Sequence, residues 1–99
     1  MAKEYRGSKD YTKLKKLLVA QEKFPIDYLH KFIGKNSPQF ATSVATFERK
    51  FPGIKLTSSK MSKGDAHVAL TYVFQAYDAD SVVELLKATD IIEDILVIL

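Results

Sequence analysis

The stretch TSSKMSKGDAHVAL, Thr57 to Leu70, gathers the hydroxyls of Thr57, Ser58, Ser59 and Ser62 around Lys60, Lys63 and Gly64. Hydroxyls, ammonium groups and a glycine are the parts of a phosphate cradle, in which backbone N–H groups and a lysine face the anion. Such a loop runs from a strand into a helix and is rich in glycine. Here a single glycine precedes the alternation AHVALTYVFQAY, which reads as a strand. The stretch therefore predicts a connection between two strands, with Thr57 to Asp65 as the turn of a hairpin. Lys60, Lys63, Gly64 and His67 are the candidate binding residues, with the two lysines as an anion contact.

Other chemistry is sparse. His30 and His67 are the only histidines. Matching pleats would bring both to one sheet face, but zinc needs a third ligand and no acid is placed beside them. Each is expected on a solvated strand face. The arginines are Arg6 and Arg49, one ahead of the first strand and one at a helix end. Neither sits where an acylphosphatase needs its phosphate-binding arginine. Asp78, Asp80, Asp90, Glu93 and Asp94 are expected as helix caps and turn residues. No catalytic residue, metal site or cofactor is expected, and the chain is not expected to be an enzyme.

The 99 residues suit one domain, 1–99. At 46% apolar and 11% aromatic, the composition is that of a folded chain. The chain has no cysteine, which excludes disulfides and thiolate metal sites and suits a reducing compartment. No apolar run nears the roughly 20 residues needed to span a bilayer, and MAKEYRGSKD is too polar for a secretory signal. A cytoplasmic protein without membrane contact is expected. Net charge is +3, unevenly spread: residues 1–63 hold 14 of 15 basic and 5 of 12 acidic residues, and residues 64–99 hold Lys87 against seven acids.

These residues need elements to position them. Residues 1–10 are expected to be flexible. Residues 11–23 form an amphipathic helix with Tyr11, Leu14, Leu17 and Leu18 on its apolar face, capped by Ser8 or Asp10 and docked on the domain. PIDYLHKFIG reads as a strand ending at Gly34. In NSPQFATSVATFERKFPG, Ser37 caps a helix with Pro38 at its first position. Phe40, Val44, Phe47 and Phe51 form one face, and Pro52-Gly53 stops it. IKLTSS is a short strand. AHVALTYVFQAY puts Val68, Leu70, Tyr72 and Phe74 on one face and His67, Ala69, Thr71, Val73 and Gln75 on the other. Asp78 or Asp80 caps DADSVVELLKATD, which buries Val82, Leu85 and Leu86 with Val83 at the margin. IIEDILVIL is a closing strand. The order β-α-β-β-α-β predicts an α+β, ferredoxin-like sandwich: a four-stranded antiparallel sheet with two helices on one face, preceded by the N-terminal helix. The first strand and AHVALTYVFQAY are expected at its centre.

The order of short motifs resembles the YbeD-like family of small bacterial proteins of uncharacterised function. The positions that carry the likeness are Phe24-Pro25, Gly34, Ser58-Ser59, Lys63-Gly64, His67 and the terminal ILVIL, within Leu14 to Leu99. Met61-Ser62 looks like an insertion in the family's SSKG element. Ala66 and Val68 stand where members have an aromatic residue and a serine. The resemblance implies a ferredoxin-like fold similar to regulatory domains that bind amino acids, with no known enzymatic activity.

Together these readings predict a regulatory or interaction domain that binds a partner protein or a small metabolite, with a homodimer as a further option. The terminal strand, apolar on both sides, invites pairing if its edge is uncovered. The alternative is a nucleic-acid binder using the basic half. Tyr28 and Phe32 would be base-stacking groups on an open face, but are expected in the core because no RNP pattern accompanies them.

Overall fold

Ser37 begins the helix the sequence marks most clearly. In the computed structural model, which describes residues 11–99, its hydroxyl accepts the Phe40 N–H at 3.1 Å and donates to Asp94 Oδ2 at 2.6 Å. Pro38 follows in the first turn, where its missing N–H leaves nothing unsatisfied. The helix α2 runs Pro38–Lys50 and buries Phe40, Val44 and Phe47. It lies between β1, Ile26–Lys35, and β2, Lys55–Met61. β3 is His67–Ala76, α3 is Ala79–Asp90 and β4 is Ile95–Ile98. Ahead of them stands α1, Tyr11–Gln21. Ser8, Asp10 and the 1–10 segment lie outside the described residues.

The four strands form one antiparallel sheet in the order β2-β3-β1-β4. β1 and β3 pair along their whole length, from Ile26 opposite Ala76 to Lys35 opposite His67. β4 reaches only Phe32, Ile33 and Gly34 of β1, with a register shift between Ile33 and Gly34. A second shift interrupts β2 between Leu56 and Ser58.

One face of the sheet holds the core. Phe32 stacks on Tyr72 across the β1–β3 pair, with centroids 5.6 Å apart, and Phe47 of α2 meets both rings edge-on. Phe51 and Phe74 extend this aromatic group. α3 covers the same face, since Thr89 reaches His30 beneath it. Val82, Leu85 and Leu86 are fully buried. Val83, expected at the margin, is buried as well. α1 lies along α3, joined by Lys15–Asp80 at 2.8 Å and by the Lys87 ammonium 5.7 Å from the Tyr11 ring centre. Tyr11, Leu14 and Leu18 turn toward the core, whereas Leu17 is 53% exposed. Among the described residues no helix is long and apolar enough to cross a membrane.

The bounds of three elements also differ from the sequence expectation. The strand expected over residues 54–59 runs on to Met61 and takes up the first part of the expected turn, because Ser58, Ser59, Lys60 and Met61 pair with Thr71, Leu70, Ala69 and Val68. The hairpin turn is correspondingly shorter. The closing strand is four residues long: Ile91 is 70% exposed, and Asp94 takes a left-handed φ of 61° before β4 begins. The N-terminal helix ends at Gln21, not at residue 23.

Gly34 is required by packing. A Cβ there would lie 2.1 Å from Phe40 Cε1 and within 2.6 Å of two further ring atoms. Gly34→Ala should cost about 1–3 kcal/mol through overpacking, or about 4–8 °C of Tm per kcal/mol. Phe40→Leu should make the Gly34→Ala change less costly, which thermal melts of the four-member double-mutant cycle will read.

Candidate functional site

The face of the sheet away from the helices carries the other half of each strand. Residues opposite one another in an antiparallel pair share a face. This surface is therefore built of cross-strand rows. Asp27 stands beside Gln75, Leu29 beside Val73 and then Lys55, and Lys31 beside Thr71 and then Ser58. Val97, Ile33, Ala69 and Lys60 form the longest row, and Lys35 stands beside His67 at the end. Ile33, Ala69, Val73 and Val97 are half-buried by their neighbours. Leu29 is 68% exposed, because β4 stops short of it.

The surface is thus an apolar strip bordered by Lys31, Lys35, Lys55 and Lys60, with Asp27 as its acid. None of these lysines is in an ion pair with a described residue. Of the sequence-predicted contact residues, Lys60 and His67 lie on this face, and Lys63 and Gly64 lie in the turn at its end. Sequence reading missed Leu29, Lys31, Lys35 and Lys55. The signal was present: once the aromatic face of β1 is turned inward, period-two alternation places Leu29, Lys31 and Lys35 outward.

The turn between β2 and β3 uses its own donors. Asp65 N–H bonds to the Ser62 carbonyl, His67 N–H to Ser62 Oγ, and Ser62 N–H to the His67 carbonyl. Gly64 has φ +82° and Asp65 φ 58°, so the chain reverses through two left-handed residues. Asn36 ties the turn to the β1–α2 loop through bonds to the Asp65 and Ala66 carbonyls. These three N–H groups face inward, which is the geometry of a closed hairpin and not of a phosphate cradle.

The histidines separate. His30 lies in the core, fully buried among Tyr28, Phe32 and Phe47, while His67 is exposed on the opposite face. The expectation of a solvated His30 is corrected: the residue shares the pleat phase of Phe32, and the fold answers its polarity. Thr89 Oγ1 donates to the Leu85 carbonyl at 2.7 Å, so at 2.9 Å from His30 Nε2 it accepts the ring N–H. Tyr28 and Phe32 are on the core side, which removes them as base-stacking groups. Asp78 caps α3 by accepting from Ser81 N–H and Oγ–H. Those bonds hold its carboxyl below the usual carboxylate range. Among the described residues no group of three or more histidine, cysteine or acidic side chains could hold a metal ion.

Two of the clefts on the helix side are lined in large part by α2. One, of about 300 Å³, lies between α2 and the end of α3, with Phe47, Ala88 and Ile92 in its lining. The other, of about 230 Å³, lies between α2 and the β2 edge and is walled by Phe40, Val44, Leu56, Val68 and Leu70. Glu48 stands in its lining, where its carboxylate accepts the Tyr72 hydroxyl at 2.6 Å.

In comparisons with known proteins, no family model matches this chain, and no curated protein or solved structure matches it.

Burial, and then the bond to the Glu48 carboxylate, push the Tyr72 hydroxyl well above the tyrosine range. A raised pKa in the folded state means that stability is complete below the unfolded value of about 10 and falls as pH rises above it. Urea midpoints should therefore fall above about pH 10, and Tyr72→Phe should remove part of that fall. At neutral pH the same substitution leaves Glu48 without its donor and should cost about 1–3 kcal/mol.

Proposed function

We propose that the chain is a non-enzymatic interaction domain that binds an acidic partner protein through the uncovered face of its sheet. The observation that carries this reading is the apolar strip of Leu29, Ile33, Val73 and Val97 bordered by four lysines that form no ion pair with a described residue. Apolar side chains supply burial on contact. The lysines select an oppositely charged surface and speed encounter. His30 is committed to the core through Thr89, and the acids Asp78 and Asp94 to a helix cap and a loop bond, which favours binding over acid–base chemistry.

We read the fold as ferredoxin-like. The strand order β2-β3-β1-β4 and the two crossover helices on one face support that reading, with α1 as an addition ahead of it. The likeness to the YbeD-like family, carried by Gly34, Lys63-Gly64 and His67, supports the same fold and a regulatory rather than enzymatic role. A cysteine-free chain fits the cytoplasm of a bacterium.

A second reading places nucleic acid on the same lysines, since Lys31, Lys35, Lys55 and Lys60 form a basic patch. Among the described residues its strands place no Phe, Tyr or Trp on this face and only the His67 ring could stack, which ranks this reading below the first.

Affinity capture from the native cell, with the wild type beside Lys31→Glu/Lys55→Glu and beside Leu29→Asp, tests the proposal. The wild type should retain a partner that both variants lose. Retention of every partner by both variants would remove the uncovered face from the account. Titration of labelled RNA and DNA at two salt concentrations separates the readings: phosphate binding should weaken steeply with salt, with a logarithmic slope of about −0.7 to −0.9 per phosphate contact.

A further inference from the structure

β2 is an outer strand, and an outer strand turns alternate N–H and C=O groups away from its sheet. Proteins commonly guard such edges with lysine and with a bulge, and β2 has both. Its bulge does something more specific. Lys55 and Lys60 are five positions apart, as are Leu56 and Met61, and in a regular strand an odd separation puts two residues on opposite faces. The register shift between Leu56 and Ser58 reverses the phase. Lys55 then stands opposite Val73 and Lys60 opposite Ala69, both on the uncovered face. Leu56 stands opposite Tyr72 and Met61 opposite Val68, both on the helix side. The bulge thus sorts the edge into a lysine side and an apolar side.

The apolar side is open. Leu56 is 48% exposed and Met61 55% exposed. Leu56 forms one wall of the 230 Å³ cleft whose other walls include Phe40, Val44 and Leu70. An edge built only to repel other strands has no reason to keep two large apolar side chains exposed beside a cleft.

An extended segment laid against β2 would continue the sheet as a fifth strand. Its side chains would alternate between the cleft and the lysine side. The cleft side suits apolar residues, and Lys55 and Lys60 suit carboxylates. A second copy of β2 does not meet this requirement, because shared faces would set lysine beside lysine. We propose that β2 and its cleft bind an extended segment of a partner protein in which apolar and acidic residues alternate. This rests on the reading of the chain as an interaction domain, and it adds a surface at the sheet edge to the one on the sheet face.

The test is a nuclear magnetic resonance titration of the ¹⁵N-labelled full chain with a seven-residue peptide of alternating glutamate and valine, the length of β2. Two control peptides replace glutamate with lysine or methylate alternate amide nitrogens. The glutamate peptide should shift the amide signals of Lys55–Met61 and of the facing turn of α2 around Phe40 and Val44. Lys55→Glu/Lys60→Glu should weaken its binding by about tenfold or more, equivalent to about 1.4 kcal/mol. Neither control should bind. The inference fails if the glutamate peptide leaves the spectrum unchanged at millimolar concentration, or if the methylated or lysine peptide binds equally well. Shifts centred on Leu29, Val73 and Val97 would also overturn the strand-addition site, while leaving the sheet-face proposal standing. Loss of captured partners in the Leu29→Asp variant tests that proposal separately.

Discussion

The pleat phase of β1 against β3 is the constraint on which the molecule depends. Phe32 stands diagonal to Tyr72 across the two inner strands and stacks on it, with their planes 15° apart, and Phe47 closes over them from α2. A slip of one residue in either strand would carry its whole inward set to the outer face. Truncating one fully buried phenylalanine costs about 3–5 kcal/mol, against about 5–15 kcal/mol for the stability of a whole domain. The phase is therefore strongly fixed. It decides that His30 goes inside, where Thr89 meets it, and that Leu29, Lys31 and Lys35 go outside. Gly34 belongs to the same constraint: at the end of the inward row it gives the Phe40 ring the space a side chain would take.

Much of this was legible in the residues. Ser37-Pro38 followed by Phe40, Val44, Phe47 and Phe51 announces a capped amphipathic helix, and α2 is that helix. The two faces of β3 also followed from alternation. The far end of β2 did not, because Lys60 and Met61 continue a stretch, Thr57, Ser58 and Ser59, that has the composition of a loop. Pairing with β3 overrides that local preference, as an exposed edge strand has little apolar surface to declare itself. The closing strand failed in the opposite direction. Ile91 and Ile92 look like strand residues, but α3 runs to Asp90 and the chain must turn through Asp94 before it can reach β1. Leu17 has helical spacing with its neighbours, yet α1 meets α3 along a narrower stripe formed by Tyr11, Leu14 and Leu18. At the candidate surface, Lys60 and His67 were singled out through their local motif. Leu29, Lys31, Lys35 and Lys55 come together only through strand pairing, which no local motif records.

The uneven charge of the sequence becomes a difference between layers. The lysines of β1 and β2 gather on the uncovered face of the sheet. The acids of the last third sit on α3 and its flanking turns, where several have local duties. Asp78 caps α3, Asp80 holds Lys15 of α1, and Asp94 receives the Ser37 hydroxyl. Acidic side chains at such positions favour the first turn of a helix and fix loops. Among the described residues the lysines of the basic face have no corresponding ion-pair partners, so its field is directed outward.

The pairing of the strands is unequal, and this has a dynamic consequence. The inner ladder joins β1 to β3 without interruption from Ile26 to Lys35, whereas each outer strand is broken by a register shift and β4 pairs with only three residues of β1. Opening free energies differ across a structure according to such local support. Slowest amide hydrogen exchange then belongs to the inner ladder, with the margins opening as smaller cooperative units. A margin that can rearrange while the centre stays closed lets the sheet accept or release a neighbour without melting the aromatic layer that keeps its faces distinct.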